Sequence, residues 1–426
     1  MNRLLVLLFC FPLFLFSQNW NQIGLDIDGE AAGDYSGHSL AISDDGTIMV
    51  IGAYSNYNAW GFKSGHVRVY QNIGGSWIQL GQDIDGDDSD QMFGYSVSIS
   101  SDGSIVAVGS TYEYHGSHIG CANVFSWDGS SWNDIGQYID GEAYGDKFGC
   151  SISLSDDGNT VAIGARDNDG INGQNSGHVK VYYNSGNYWT QKGQDIDGEA
   201  ANDHFGHSVS LSADGNTVAI GAENNDGNGA GSGHVRVYSY NGSSWTQIGA
   251  DIDGEAALDE SGKSVSLSNN GTIVAIGAAY NDGGGTNAGH VRIYEYNGTW
   301  VQLGQDIDGL NSGEISGYSV SLAGDGQKVA IGSIGTGSGD RAKIYQYNGS
   351  SWTQVGSDIL GVQGVGDWFG RSIALNNNGN TVAIGAPYND ANGNNAGHVR
   401  VYTNFIPVNG CTDSTAVNYD PSANTD

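Results

Sequence analysis

Trp20, Trp77, Trp132, Trp189, Trp245, Trp300 and Trp352 follow one another at intervals of 57, 55, 57, 56, 55 and 52 residues. Each opens a phrase such as "WTQIGADIDGEAALDESGKSVSLSNNGTIVAIGAAYNDGGGTNAGHVRIYEYNGT". A self-similar unit of this size restricts the chain to a repeat architecture, in which each unit buries its apolar faces only against its neighbours.

Within a unit the strands separate cleanly. In the fourth copy they are "HSVSLS", "NTVAIGA", "GHVRVYSY" and "WTQIGADI", joined by "ADG" and "NGSS", short glycine-containing turns that suit antiparallel hairpins. Val235 and Val237 alternate with His234, Arg236 and Tyr238, the period of a strand. The unit is therefore a four-stranded antiparallel meander, and seven of them predict an all-β, seven-bladed β-propeller. Sixty-nine glycines and four prolines agree with many tight turns, and beyond the first seventeen residues no stretch carries helical periodicity over three turns.

The ends predict how the ring shuts. The last unit has "RSIAL", "NTVAIGA" and "GHVRVYT" but no closing Trp strand, whereas an orphan "NWNQIGLDIDG" stands near the start. If that N-terminal strand completes blade seven, no sheet edge is left open. A linear solenoid is the competing architecture.

Residues 1–17 have the anatomy of a secretory signal peptide: one Arg, an apolar core from Leu4 to Phe16, then Ser17. The predicted organisation is signal peptide 1–17, propeller 18–404, and a tail 405–426. No other segment reads as transmembrane. The formal net charge of −32 disfavours nucleic acid and anionic membrane surfaces as partners, and fits a solvated acidic surface or cation binding.

The stretch "WFGRSIALNNNGNTVAIGAPYNDANGNNAGHVRVY", residues 368–402, resembles an FG-GAP repeat, the blade type of the integrin alpha-chain head and of many secreted bacterial proteins. Phe369 and Gly370 match its FG, and Gly385, Ala386 and Pro387 its GAP. The resemblance extends over all seven units, with softened motifs in other copies. It implies an extracellular binding or adhesion module with a glycan or protein ligand. Calcium-binding members of that family carry an acidic loop between the first two strands; here the turn is only "SADGNT", "SNNGTI" or "NNNGNT", so that metal site does not carry over.

Acidic residues concentrate instead in "DIDGEAANDHFG", residues 195–206, and its repeats. Asp195 and Asp197 would point the same way from a strand and, with Asp203, form a candidate calcium site; the same residues equally well cap turns and make an architectural joint. No cofactor is required on this reading.

Copies that disagree point to function. The long loop between strands two and three carries Tyr54, Tyr57, Trp60 and Phe62 in blade one, and Tyr112, Tyr114, His115 and His118 in blade two. Trp368 leads into blade seven, beside blade one in a closed ring. These rings form a candidate ligand platform on one face, or pack loops against the rim. His66, His178, His234, His290 and His398 all occupy "GHV", a position explained by blade packing.

No nucleophile, base and orienting group stand in a known catalytic context, and repeated phrases do not build a site of unlike groups. An enzyme acting on glycans would place its site in the asymmetric loops of blades one and two, where joint substitution of Tyr112, Glu113, His115 and His118 would test it; a purely structural surface-layer component is a further alternative. Cys121 and Cys150, in adjacent blades, are a candidate disulfide. Cys411 opens "GCTDSTAVNYDPSANTD", which resembles a short extracellular repeat of marine Bacteroidetes proteins that closes with a second Cys. The expectation is a C-terminally truncated fragment of a protein exported to the surface or medium by type IX secretion.

Overall fold

The computed structural model describes residues 19–112, 119–186, 188–335, 339–361 and 366–404. Among these there is no helix, and the strands form seven antiparallel sheets arranged as a propeller. In blade four, Ser208–Leu211 lies innermost, followed by Thr217–Ala222, His234–Tyr240 and an outer strand. The second strand, "TVAIGA", is buried on both faces except at its first residue, which explains why it reads as a continuous apolar run rather than an alternation.

The outer strand departs from expectation. It is two short pieces, Trp245–Gln247 and Ile252–Asp253, both paired with His234–Tyr240. Gly249 interrupts it with φ +76°, and a Cβ there would lie 2.6 Å from Trp300 Cδ1 of the next blade. The break makes room for the neighbouring tryptophan. Each such indole then reaches back: Trp189 Nε1 donates to Ile135 O at 2.8 Å and Trp300 Nε1 to Ile248 O at 2.8 Å. Trp77 is the exception, with Nε1 buried and unpartnered.

The ring is closed. Asn21–Gln22 and Ile27–Asp28 pair with His398–Thr403, with Asn21 opposite Thr403 and Ile27 opposite Val399. One apolar cluster joins Val399 and Val401 of blade seven to Leu40, Met49 and Ile51 of blade one, in the manner of the other six inter-blade clusters. The solenoid alternative is thereby removed.

Two rings of hydrogen bonds circle the axis. In the first, a serine of every innermost strand donates to a glycine carbonyl of the next blade: Ser39 to Gly94, Ser96 to Gly149, Ser151 to Gly206, Ser208 to Gly262, Ser264 to Gly317, Ser319 to Gly370 and Ser372 to Gly37, at 2.7–2.9 Å. The same carbonyl rests on the second-strand glycine of the donating blade; a Cβ on Gly385 would meet Gly37 O at 2.2 Å. The FG and GAP glycines are thus two sides of one inter-blade contact.

The second ring closes the opposite end, at the turns between the first two strands. Backbone N–H groups of Asp44, Ser101, Asp156, Ala213, Asn269, Gly324 and Asn377 each donate to the carbonyl of the following member, and Asn377 returns to Asp44 at 3.2 Å. Side chains narrow the axis further, with Asn269 Nδ2 donating to Asn377 Oδ1 at 3.2 Å and Asn377 Nδ2 to Asp44 Oδ2 at 2.9 Å. The Asp156 carboxyl is pushed up to about 6, first by burial and then by the charge of Asp44.

The Cys121–Cys150 disulfide is not formed, and both residues are thiols. Cys150 Sγ faces the Gly164 and Gly206 carbonyls at 3.5 Å, while Cys121 Sγ faces Asn123 Oδ1 at 3.8 Å. Cys150 stands on an innermost strand and Cys121 two strands further out, so the sequence reading placed both at strand ends without separating axis from blade. Cys411 lies outside the described residues.

Candidate functional site

The acidic phrase is a joint. In blade four, Asp251 Oδ1 accepts Gln247 Nε2 at 2.6 Å, and Asp251 Oδ2 accepts Arg236 Nη2 at 2.8 Å. Arg236 also pairs with Glu199, which comes from the preceding phrase and so ties one blade to the next. The arrangement recurs as Glu30–Arg68–Asp83 and Glu255–Arg292–Asp306, and with lysine as Glu142–Lys180–Asp195. A buried "GHV" histidine lies beneath each, completing groups of ligand type such as Glu199, His234 and Asp251. The cation between the carboxylates is the protein's own guanidinium or ammonium.

The three carboxylates proposed for calcium take separate tasks. Asp195 accepts Gln191 Nε2 at 2.6 Å, Asp203 is buried and accepts Ala200 N at 3.1 Å and Asn225 Nδ2 at 3.0 Å, and Asp197 pairs along the outer strand with His178. Burial, then the charge of Asp195, raises the Asp197 carboxyl. The structure groups Asp195 with Glu142 and His178 instead.

A different region breaks the sevenfold rule. The turn into each innermost strand holds a non-glycine residue at positive φ: Tyr35, Met92, Lys147, His204, Glu260, Ile315 and Trp368, all between +52° and +58°. In six of the seven, an i to i+3 backbone bond then sets that residue beside the one preceding the ring serine, as in Arg371 N to Trp368 O at 2.9 Å. Those second residues are His38, Tyr95, Cys150, His207, Lys263, Tyr318 and Arg371. The frame repeats seven times, while the second position holds five residue types, His and Tyr being used twice.

These second residues line a cavity of about 250 Å³ on the axis, together with the ring serines and the residues that follow them. Its halves differ. From blade six round to blade two runs an aromatic arc: Tyr318 to Trp368 at 6.4 Å between ring centroids, Trp368 to Tyr388 at 4.5 Å, Tyr388 to Tyr35 at 5.2 Å, Tyr35 to Tyr54 at 5.5 Å, and Tyr54 to Tyr95 at 5.7 Å. Blades three to five supply ions instead. Lys263 Nζ lies 2.5 Å from Glu223 and 3.1 Å from Glu260, and His207 Nδ1 lies 3.0 Å from both Glu223 Oε1 and Arg166 Nη1.

Burial dominates the titration here. It lowers His207 to about 4 despite Glu223, and holds His38 well below its ordinary value with help from the charge of Arg371. Both imidazoles are neutral at pH 7. Burial and the neighbouring phenols push Tyr54 up to about 12, so it remains a donor. Glu223 stays ionised, because its contacts with His207 and Lys263 outweigh burial.

Of the predicted platform, Tyr54 and Trp368 are brought into one arc, through Tyr35 and Tyr388, which the sequence reading missed. Tyr57, Trp60 and Phe62 instead stand in solvent, 70%, 62% and 55% exposed, on the blade-one loop. Tyr112 is half-buried, with its N–H on Gln91 O at 3.3 Å. Tyr114, His115 and His118, like Glu113, lie outside the described residues. A detectable signal existed: the residue before each ring serine varies while the serine does not.

Comparison with known proteins agrees with this geometry. Residues 139–182, 195–238 and 352–402 match the family model described as FG-GAP repeat, so three stretches of the chain carry that repeat. A search of curated proteins gives no match. Similar solved structures include a protein assigned provisionally as a 6-phosphogluconolactonase from Bacteroides uniformis, at 14% identity and TM-score 0.52, covering 76% of this chain and 85% of that one. Another is hydrazine synthase from Kuenenia stuttgartiensis, at 13% identity and TM-score 0.53, covering 85% and 94%. At such identities the likeness is one of fold. No described helix is long and apolar enough to cross a membrane.

Proposed function

We propose, from three FG-GAP repeats set in a closed propeller, that this chain is a binding or adhesion module that takes its ligand at the axial mouth of the loop-rich face. One observation carries the reading. Packing alone would favour the same residue in every blade, yet the position before the invariant ring serine holds five different residue types in seven blades, and all seven side chains converge on one cavity. Unlike groups meeting once are what a ligand site requires. The apolar run from Leu4 to Phe16 supports export, and with it a glycan or protein ligand at a cell surface or in the medium.

An array of glycans and extracellular proteins, probed with the wild type, Trp368→Ala and Trp60→Ala, tests the site. The expected result is loss of signal with Trp368→Ala and retention with Trp60→Ala. Equal binding by Trp368→Ala and wild type would contradict it.

A further inference from the structure

Among the described basic side chains that line the axial cavity, Arg371 stands apart, and this inference rests on the axial mouth being the binding site. Most basic side chains are committed to carboxylates, as Arg236 is to Asp251, Lys343 to Glu314, Lys147 to Asp167 and Lys263 to Glu223. Lys192 and Lys328 instead satisfy themselves on amide and carbonyl oxygens. Arg371 does neither. Among the described residues no carboxylate approaches within 4.0 Å of its guanidinium, whose one hydrogen-bond partner is His38 Nε2 at 3.0 Å.

That charge is held in place rather than left to solvent. The guanidinium lies 5.0 Å from the Tyr318 ring centroid, and its side chain lines the axial cavity with those of His38 and Tyr318. His38 is tethered through Nδ1, 3.2 Å from Tyr95 O, so Nε2 is fixed toward Arg371. A guanidinium has five N–H donors in a planar fork that matches a carboxylate. On a chain of net charge −32, an arginine inside a cavity with no counter-charge is costly unless something anionic arrives.

We propose that Arg371 is the anchor for a carboxylate on the ligand, and that the ligand is an acidic sugar of uronate type, bound as a single residue or a chain end. The carboxylate takes the free edge of the guanidinium. The Tyr318 ring, which lines the cavity, offers an apolar surface to the C–H face of a pyranose, and Trp368 packs against it edge-on. Lys263, whose Nζ lies 5.8 Å from the Tyr318 ring centroid, and His207 line the same cavity and supply polar partners for ring hydroxyls. A volume of about 250 Å³ falls just below the usual range of ligand pockets, which begins near about 300 Å³, and so suits one ring rather than a long stretch of polymer.

The test is calorimetric titration of the full chain with trigalacturonate and with the neutral trisaccharide cellotriose, using wild type, Arg371→Gln, Arg371→Lys and Trp368→Ala, each checked by thermal melting. The expected result is at least tenfold tighter binding of the acidic sugar by the wild type. Arg371→Gln should remove that preference, and Arg371→Lys should keep part of it through charge without the fork. Wild type that binds both sugars equally, or neither sugar while Trp368→Ala still abolishes array binding, overturns the acidic-sugar assignment and leaves the mouth as the site. Array binding unchanged in Trp368→Ala contradicts the mouth itself.

Discussion

Ser372 Oγ donates to the carbonyl of Gly37 at 2.7 Å, across 335 residues of sequence. The bond has the geometry of the six between consecutive blades, so the contact that shuts the ring is indistinguishable from those that build it. Everything inferred about the axial mouth depends on this equivalence, because Trp368 and Tyr35 share one arc only in a closed ring.

Gly249 is expected to be intolerant for two reasons and Gly242 for one. Both have positive φ, which costs an L-residue about 1–2 kcal/mol, but only at Gly249 would a Cβ also strike an indole. Chemical denaturation should show Gly249→Ala losing about 1–3 kcal/mol more than Gly242→Ala, the usual penalty of overpacking. Equal losses would contradict the account of the broken outer strand.

Asp156 should be a stability defect that is visible only above acid pH. Its folded value of about 6 exceeds its unfolded value of 3.8, so the folded state holds the proton more tightly and stability falls as pH rises through that window. Asp156→Asn is predicted to raise Tm at pH 8 and to leave it unchanged at pH 3.5. A gain of equal size at both would trace the effect to packing.

The buried histidines carry the opposite sign. Burial lowers His178, His207 and His398 to about 4, so the stability from keeping them neutral is complete above 6.5 and is lost as pH falls from 6.5 through about 4. At His178 the facing charges are Lys180, which lowers it further, and Asp195 and Glu142, which oppose. His178→Gln is predicted to lose less Tm than wild type between pH 7 and pH 4.5. An identical pH profile would count against this assignment.

Among the described residues, calcium should find the acidic phrase already occupied, as Arg236 lies between Glu199 and Asp251. Millimolar calcium or a chelator is expected to leave the wild-type Tm unchanged. Arg236→Ala, which leaves Glu199, Asp251 and His234 facing one another, should be destabilised by about 1–3 kcal/mol and recover in part on adding a divalent cation. A clear calcium shift in the wild type would revive the acidic phrase as a metal site.

Much of the fold was legible because repetition makes each signal sevenfold. Trp spacing gave the blades, and the orphan "NWNQIG" gave the closing strand. The acidic phrase read ambiguously because Asp195 and Asp251 meet their partners Lys180 and Arg236 across a hairpin, and Glu142 and Glu199 across a blade interface. The aromatic arc was half visible. Tyr54 and Trp368 stood out as departures from the repeat, while Tyr35 and Tyr388 lie in turns whose convergence only the closed ring produces. The failed Cys121–Cys150 pairing has the same origin, since sequence gives neighbouring blades but not radial distance from the axis.

The closed ring itself is tested most directly by a cross-link. Asn21 and Thr403 are opposed on neighbouring antiparallel strands, where paired Cβ atoms stand about 4.5–5.5 Å apart. In the Asn21→Cys, Thr403→Cys double variant, mild oxidation is predicted to yield a monomer with a 21–403 peptide pair in its mass spectrum and a raised Tm. Oxidation that gives only disulfide-linked dimers, or two thiols that stay unlinked, would mean that the first segment does not complete the last blade.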